Sequence, residues 1–278
     1  STVQYDNQKY INFRKALHQI PELRFQEFKT KKFILDYIKN FKNIEKTKIT
    51  EALDTGFWVD VNGTSTSSNS PPLAIAFRAD MDGLPLKEET GVDYPSTHEG
   101  RAHSCGHDGH MTILTVFMEY VLSRLDQIPA NIKIRFLYQP AEEGAGGADE
   151  MIKVGCLEGI DQIYGIHNLT LFNLGVVGVI PGPIMASSDF WEIDLKGHGG
   201  HGSTPHLCDS PITTGMDLVQ KFNQLLSQKS DSIHRCSLSV GCFNSGHTGN
   251  VIPEKGNIKG TLRCLDEKNR EKNKALMM

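Results

Sequence analysis

Residues 73–77, LAIAF, form a short and continuous apolar run. Such a run, without polar alternation, is typical of a strand buried on both faces of a sheet. The apolar spacing downstream predicts a helix, a strand, a shorter helix and a further strand, at residues 111–128, 131–138, 148–157 and 162–166. Because strands and helices alternate, we expect an α/β fold whose largely parallel sheet is covered by helices.

The pattern changes after the sequence PGP at residues 181–183. Residues 190–195, FWEIDL, alternate between apolar and polar side chains, as a half-exposed strand does. A helix and two strands are predicted to follow, at residues 212–228, 236–243 and 257–263. We therefore expect a first domain over residues 1–183 and a smaller α+β domain over residues 184–278.

Composition and charge exclude two classes of function. The 278 residues include 29 Lys plus Arg and 33 Asp plus Glu, which gives a net charge of −4 and no basic excess for binding a nucleic-acid backbone. No apolar run approaches the roughly 18 residues that a membrane helix needs. The six cysteines are scattered without a CxxC pair, so we expect reduced thiols and a cytoplasmic location.

Side chains that bind metals collect next to the predicted strands and helices. The segment HSCGHDGH at residues 103–110 directly precedes the 111–128 helix. Glu142 and Glu143 follow the second strand, and His167 ends the third. In an open parallel sheet, ligands bind at the carboxyl ends of the strands. We therefore expect one sulfur, two or more imidazoles and two carboxylates to meet in one crevice.

The types of side chain in this crevice indicate a metal site. Thiolate, imidazole and carboxylate groups are ligands of Zn²⁺, and Mn²⁺, Co²⁺ or Ni²⁺ can occupy related sites. Cys105 and His107 point the same way if the segment is extended, and Gly106 permits a sharp turn between them. His103 and His110 have two alternative roles. They can donate hydrogen bonds to the metal ligands, or they can contact the substrate.

The adjacent carboxylates indicate a hydrolase. Successive residues of an extended segment point in opposite directions, so Glu142 and Glu143 can divide two tasks. One carboxylate can bind the metal, while the other accepts a proton from water that the metal has acidified toward a pKa of roughly 7. Each residue taken singly also has an ordinary explanation, as a surface acid, a strand-end histidine or a buried thiol. Their joint placement favours the metal site.

Six motifs, spread along nearly the whole chain, resemble those of the M20 metallopeptidases. The resemblance is strongest to the amidohydrolase branch, which includes aminoacylases, hippurate hydrolases and auxin-conjugate hydrolases. The motifs are LHQIPEL at 17–23, RADMDGLP at 78–85, HSCGHDGHM at 103–111, QPAEEG at 139–144, the segment 197–206 and NVIP at 250–253.

The resemblance implies metal-dependent hydrolysis of the amide bond of N-acyl amino acids. It implies a site for two divalent ions, Zn or Mn with Co or Ni as alternatives, held by Cys105, His107, Glu143 and His167. Cys105 would bridge the two ions. Glu142 would act first as the general base and then as the general acid.

The resemblance also implies that the domain at residues 184–278 is a lid through which the protein forms a homodimer. His201 resembles the family histidine that stabilises the oxyanion of the reaction, often in the active site of the partner subunit. Asn250 and Arg263 resemble the positions that hold the carboxylate of a small-molecule substrate. Residues 1–183 would then be the metal-binding catalytic domain.

Members of the family continue beyond the length of this chain and supply one more metal-binding histidine. Nothing after Arg263 matches that histidine, so we expect a truncated chain whose own activity is uncertain. Two other functions stay open at this point. One is a metallo-carboxypeptidase or dipeptidase, and the other is a catalytically inactive metal-binding protein built on the same fold.

Overall fold

The computed structural model describes residues 7–66, 70–230, 233 and 236–278. The chain forms two compact units, the first ending at Phe172 and the second beginning at Asn173. The division therefore precedes the domain boundary that we expected at residue 184. Among the described residues, no helix combines the length and apolar character needed to cross a membrane.

The first unit contains a five-stranded sheet in the order β1-β2-β4-β3-β5. Its strands are β1 (Lys48–Ala52), β2 (Gly56–Asn62), β3 (Leu73–Asp80), β4 (Ile132–Gln139) and β5 (Gln162–Gly165). β3 pairs in parallel with β4 and β5, whereas β2 pairs antiparallel with β1 and β4. The predicted α/β class with parallel strands is confirmed.

The β1–β2 hairpin is the part of this sheet that the sequence pattern did not predict. β1 is short and mostly polar, and its connection to β2 lacks the Asn-Gly or Asp-Gly pair that commonly marks a tight hairpin. The turn instead places Leu53 and Asp54 in the left-handed region, at φ 51° and 57°. Two consecutive non-glycine residues in that region are uncommon, so the turn had no clear sequence signal.

Helices cover both faces of this sheet. They are α1 (Asn7–His18), α2 (Phe28–Ile38), α3 (His107–Ser123) and α4 (Gly147–Lys153). The main core joins side chains of α1, α2 and α3 to one face of β2 and β4, including Phe57 and Phe136. The next residue of each strand, Trp58 in β2 and Leu137 in β4, points to the opposite face and packs with Met151 of α4. Both strands are therefore buried on both faces along most of their length, as in a sheet that helices cover on either side.

The parallel register brings three strand ends to one edge of the sheet. Asp80 at the end of β3 lies opposite Gln139 at the end of β4, and Arg78 lies opposite Gly165 at the end of β5. The loops that follow these strands therefore leave the sheet side by side, as expected for a ligand site in an open parallel sheet.

The second unit is built on antiparallel strands. A three-stranded sheet contains β6 (Asp189–Lys196), β10 (Lys255–Cys264) and β8 (Cys236–Ser245) in that order, and β7 (Gly200–His201) pairs with β9 (Val251–Ile252). Its helices are α5 (Pro211–Lys229) and α6 (Glu267–Met277). Trp191 of β6 meets Phe222 of α5 edge to face, with ring centroids 5.8 Å apart. The predicted alternation of β6 is confirmed, because its side chains alternate between half-buried and exposed.

The structure corrects the expectation that all the cysteines are reduced. Cys236 and Cys264 form a disulfide, with their Cα atoms 4.4 Å apart. The two residues lie directly opposite each other in the antiparallel pairing of β8 and β10. A spacing of 28 residues gives no sign of this pairing, because only the register of the two strands brings the thiols together.

We expect the disulfide to be detectable by counting thiols. Protein denatured without reductant should show four reactive thiols, those of Cys105, Cys156, Cys208 and Cys242. Closing a loop of this length removes entropy from the unfolded chain, so reduction should lower the free energy of unfolding by about 3 to 4 kcal/mol. Urea unfolding with and without reductant measures that difference.

The double variant Cys236→Ser, Cys264→Ser is the matched control, since its stability should no longer respond to reductant. Six reactive thiols in the denatured wild-type protein would contradict the pairing.

Candidate metal centre

Two groups of metal-ligating side chains lie at the edge where β3, β4 and β5 end. The first contains Cys105, His107 and His167, and the second contains His107, Glu142 and Glu143. Within each group the candidate ligand atoms lie within 4.8 Å of one another. Because His107 belongs to both groups, the structure brings together all five side chains expected to meet in one crevice.

His107 has the geometry of a metal ligand. Its ring is fully buried, and Nδ1 lies 2.7 Å from the backbone oxygen of Asp82 and donates to it. Nε2 is buried without a hydrogen-bond partner among the described residues. It lies 3.9 Å from an oxygen of Glu142 and 3.9 Å from an oxygen of Glu143. Metal-ligating histidines commonly donate their other ring N–H to a carbonyl, so Nε2 is oriented for an ion.

Cys105 and His167 complete the first group, with Sγ and Nε2 separated by 3.4 Å. Cys105 is half-buried just before α3, and His167 is exposed in the loop after β5. A thiolate, imidazoles and carboxylates at this spacing are a donor set that Zn²⁺ and related divalent ions accept. The residues present therefore fit a metal ion.

Gly106 allows Cys105 and His107 to flank the start of α3. It is the N-cap of this helix at φ 85°, in the left-handed region that favours glycine. A Cβ at this position would lie 2.4 Å from the side-chain oxygen of Asn168. Glycine is thus required both for the turn and for the close approach of the loop that carries His167.

His110 is hydrogen-bonded at both ring nitrogens, and so it links the end of β3 to the loop after β5. Its Nδ1 donates to Asp80 across 2.7 Å, and its Nε2 accepts the backbone N–H of Asn168 across 2.9 Å. Asp80 also accepts a hydrogen bond from Arg78. Asp80, His107 and His110 form a third group with metal-ligand spacing, but these hydrogen bonds already occupy Asp80 and His110. We interpret His110 as a residue that holds the loop next to His167.

His103 takes no part in any of these groups. It is buried, and both ring nitrogens lack hydrogen-bond partners among the described residues. Burial lowers the pKa of His103 to about 4, so its ring is neutral near pH 7.

The electrostatics of the centre favour positive charge. Burial opposes protonation of His107, but the neighbouring side chains of Asp82, Cys105 and Asp80 raise its pKa to about 11. A divalent cation bound there would be stabilised by the same neighbouring acidic groups.

The pKa of Glu142 is also shifted. Partial burial and the charge of Glu143 raise it, which is the direction that a proton acceptor working near neutral pH requires.

Asp82 orients both halves of the centre, and the chemical argument from the sequence assigned it no role. Its carboxylate accepts the backbone N–H of Glu142 at one oxygen and that of Glu143 at the other, each across 3.0 Å. Its carbonyl oxygen accepts the hydrogen bond from His107. The motif RADMDGLP contained the only sequence signal for this residue.

A buried polar network anchors the start of α3 beneath the centre. Asp108 accepts hydrogen bonds from His18 across 2.7 Å and from Arg14 across 2.8 Å. The other ring nitrogen of His18 lies 3.0 Å from Glu88. Hydrogen bonding to Asp108 raises the pKa of His18, which favours the protonated ring. The carboxylate of Asp108, the residue that follows His107, is therefore held between the positive charges of His18 and Arg14. The sequence pattern did not reveal these partners, which come from separate segments.

The other predicted functional residues lie in the second unit. His201 is exposed on β7, where its Nδ1 lies 2.7 Å from Oγ of Ser203. Asn250 lies beside it, because its backbone oxygen accepts the N–H of Gly202 across 2.8 Å. Arg263 is exposed on β10, in the other sheet of this unit. The roles expected of His201, Asn250 and Arg263 stay predictions.

The model of the family described as peptidase family M20/M25/M40 matches residues 76–254. That range contains every residue of the two ligand groups.

Two curated relatives are enzymes that remove acetyl groups. The chain is 37% identical to the N-acetyldiaminopimelate deacetylase of Anoxybacillus flavithermus, over 95% of this chain and 67% of that protein. It is 39% identical to the N-acetyl-L-cysteine deacetylase of Bacillus subtilis, over 92% of this chain and 59% of that protein. The chain thus spans about two thirds or less of the length of these relatives.

A solved structure supports the fold. The YXEP protein of Bacillus subtilis, described as a dinuclear metal-binding peptidase of the M20 family, superposes with a TM-score of 0.76. The two proteins are 30% identical, over 97% of this chain and 67% of that chain.

Proposed function

This chain belongs to peptidase family M20/M25/M40, and from that membership and the geometry of its centre we propose that it is a metal-dependent amidohydrolase acting on N-acyl amino acids. The single observation that carries the proposal is the pair of ligand groups that share His107. One group supplies sulfur and imidazole ligands, and the other places two carboxylates beside the same ring.

In this proposal Cys105, His107, Glu143 and His167 hold two divalent ions. Ions bound there would acidify water and polarise the carbonyl oxygen of the substrate. The YXEP protein supports a dinuclear site, since it carries that description and is similar over nearly the whole of this chain. Zn and Mn are the ions that we propose first, because both accept this donor set.

Glu142 is the proposed proton carrier. Its side chain is 40% exposed, so water can reach it, and its raised pKa makes it a better proton acceptor than an ordinary surface carboxylate. It would take a proton from the attacking water and return that proton to the leaving amine. Asp82 fixes the backbone of Glu142 during both transfers.

The names of the relatives support N-acetyl amino acids as the substrate class. N-acetyldiaminopimelate and N-acetyl-L-cysteine are both amino acids that carry an acetyl group on nitrogen. A homodimer formed through the predicted lid domain at residues 184–278 and a cytoplasmic location remain predictions within this proposal. So do the stabilisation of the oxyanion by His201 and the binding of the substrate carboxylate by Asn250 and Arg263.

Elemental analysis and enzyme assays on one preparation test the function. We expect about two divalent ions per chain, and hydrolysis of N-acetyl amino acids that exceeds hydrolysis of hippurate and of dipeptides. Treatment with a chelator should abolish turnover, and adding back Zn²⁺ or Mn²⁺ should restore it.

The same measurements separate the alternatives. Faster hydrolysis of dipeptides would favour a dipeptidase, and bound metal without any turnover would favour an inactive metal-binding protein. Protein that binds no divalent ion would reject the proposed function.

A further inference from the structure

The turn after β4, which carries Glu142 and Glu143, has an unfavourable backbone conformation. Ala141 is fully buried at φ 52°, in the left-handed region that residues with a Cβ rarely adopt. Such a conformation persists only where the surrounding structure holds it in place. The turn is also closed tightly, since a Cβ on Gly147 would lie 1.8 Å from the backbone oxygen of Pro140.

Two buried carboxylates hold three consecutive backbone N–H groups of this turn. Oε1 of Glu27 accepts the N–H of Ala141 across 2.8 Å. Asp82 accepts the N–H groups of Glu142 and Glu143. Consecutive N–H groups in a turn form a concave site for an anion, and here protein carboxylates fill it.

Glu27 is well placed to hold the turn rigidly. It is the N-cap residue of α2, fully buried, and its backbone oxygen accepts the N–H of Lys31 across 2.9 Å. The helix that it begins is fixed in the main core by Ile34 and Ile38. Oε2 of Glu27 has no hydrogen-bond partner among the described residues. The N–H of Ala141 is therefore bound by a side chain whose own position is set by the core.

We propose that Glu27 is a positioning residue that sets the placement of Glu142 by holding the N–H of Ala141. This inference rests on the proposed function, because it assigns Glu27 a role in the same reaction. Among the described residues, no hydrogen bond joins Glu27 to an expected metal ligand, so Glu27 acts through the turn. The role needs a hydrogen-bond acceptor and not a charge, which agrees with the raised pKa that burial gives Glu27.

Replacing Glu27 by Met or Gln separates positioning from general stability. Met removes the acceptor at similar length, whereas Gln keeps a carbonyl oxygen in the place of Oε1. We expect Glu27→Met to lower kcat by about 10- to 100-fold with little change in KM, because small displacements of a catalytic group have effects of this size. We expect Glu27→Gln to keep kcat within about threefold of the wild type, since the acceptor for Ala141 is retained.

Glu22→Met is the matched control. Glu22 is also a buried carboxylate near the start of α2, but it accepts hydrogen bonds from the backbone N–H and the hydroxyl of Thr30 and not from the turn. Its replacement should lower the melting temperature without lowering kcat below that temperature.

Amide hydrogen exchange provides a readout that does not depend on activity. In Glu27→Met, the backbone amides of the peptide spanning residues 139–147 should exchange at least about tenfold faster than in the wild type. The same amides should keep their protection in Glu27→Gln and in Glu22→Met.

Three outcomes would overturn the inference. They are unchanged kcat in Glu27→Met, equal losses of kcat in the Met and Gln variants, and unchanged exchange at residues 139–147. If the wild-type protein hydrolyses nothing, the proposed function fails, and the exchange rates still decide whether Glu27 holds the turn.

Discussion

Replacing Glu142 by Gln is expected to lower kcat by about 100- to 10,000-fold, the usual contribution of general acid–base catalysis. Gln has the same shape but cannot accept a proton from water. The backbone N–H of Glu142 is bound by Asp82, so the turn should keep its conformation in the variant. Metal content should stay at the wild-type level, because the ligands proposed for the ions are all retained.

Steady-state kinetics and elemental analysis of the same preparation check this result. Glu150→Gln, on the exposed side of α4, is a suitable control because the side chain of Glu150 pairs with the exposed Lys153 and, among the described residues, with no other charged group. A Glu142→Gln enzyme with full metal content and normal kcat would rule out Glu142 as the proton carrier.

Replacing Glu143 by Ala should give a different phenotype, although the two glutamates are adjacent. This variant loses a proposed ligand, so it should lose both bound metal and turnover. Loss of a residue that merely supports a ligand weakens metal binding by about 10- to 100-fold, and loss of the ligand itself should cost at least as much. Titration of metal-free protein with Zn²⁺ measures the change in Kd.

Excess metal should restore part of the activity of Glu143→Ala but none of the activity lost in Glu142→Gln. Glu150→Gln again serves as the control, because it removes a glutamate charge without changing any residue of the two ligand groups. Tight metal binding in Glu143→Ala would show that Glu143 is not a ligand.

Much of the first unit could be predicted because its signals are local. The run at residues 73–77 became the first five residues of β3, of which Ala76 is buried and the others are half-buried, and the apolar spacing after residue 111 became most of α3. The convergence of Cys105, His107 and His167 followed from one rule about the ends of parallel strands. Their assignment as ligands stays a prediction.

The partners of these residues could not be predicted in the same way. Glu27 and Ala141 are 114 residues apart, and His18 and Asp108 are 90 residues apart. Nothing in either segment indicates its partner, since a buried carboxylate and a buried backbone N–H meet only after the helices pack on the sheet. The disulfide between Cys236 and Cys264 depends in the same way on the register of β8 and β10.

The order of the amino acids was enough to predict the alternation of strands and helices and the chemical types of the side chains at the strand ends. Periodicity and side-chain chemistry are properties of neighbouring residues, so they can be recognised without a fold. The folded chain was needed to show that Asp82 and Glu27 hold the turn of Glu142, and that Nε2 of His107 is left without a hydrogen-bond partner among the described residues. These features depend on distances between segments far apart in the chain, and packing alone sets those distances.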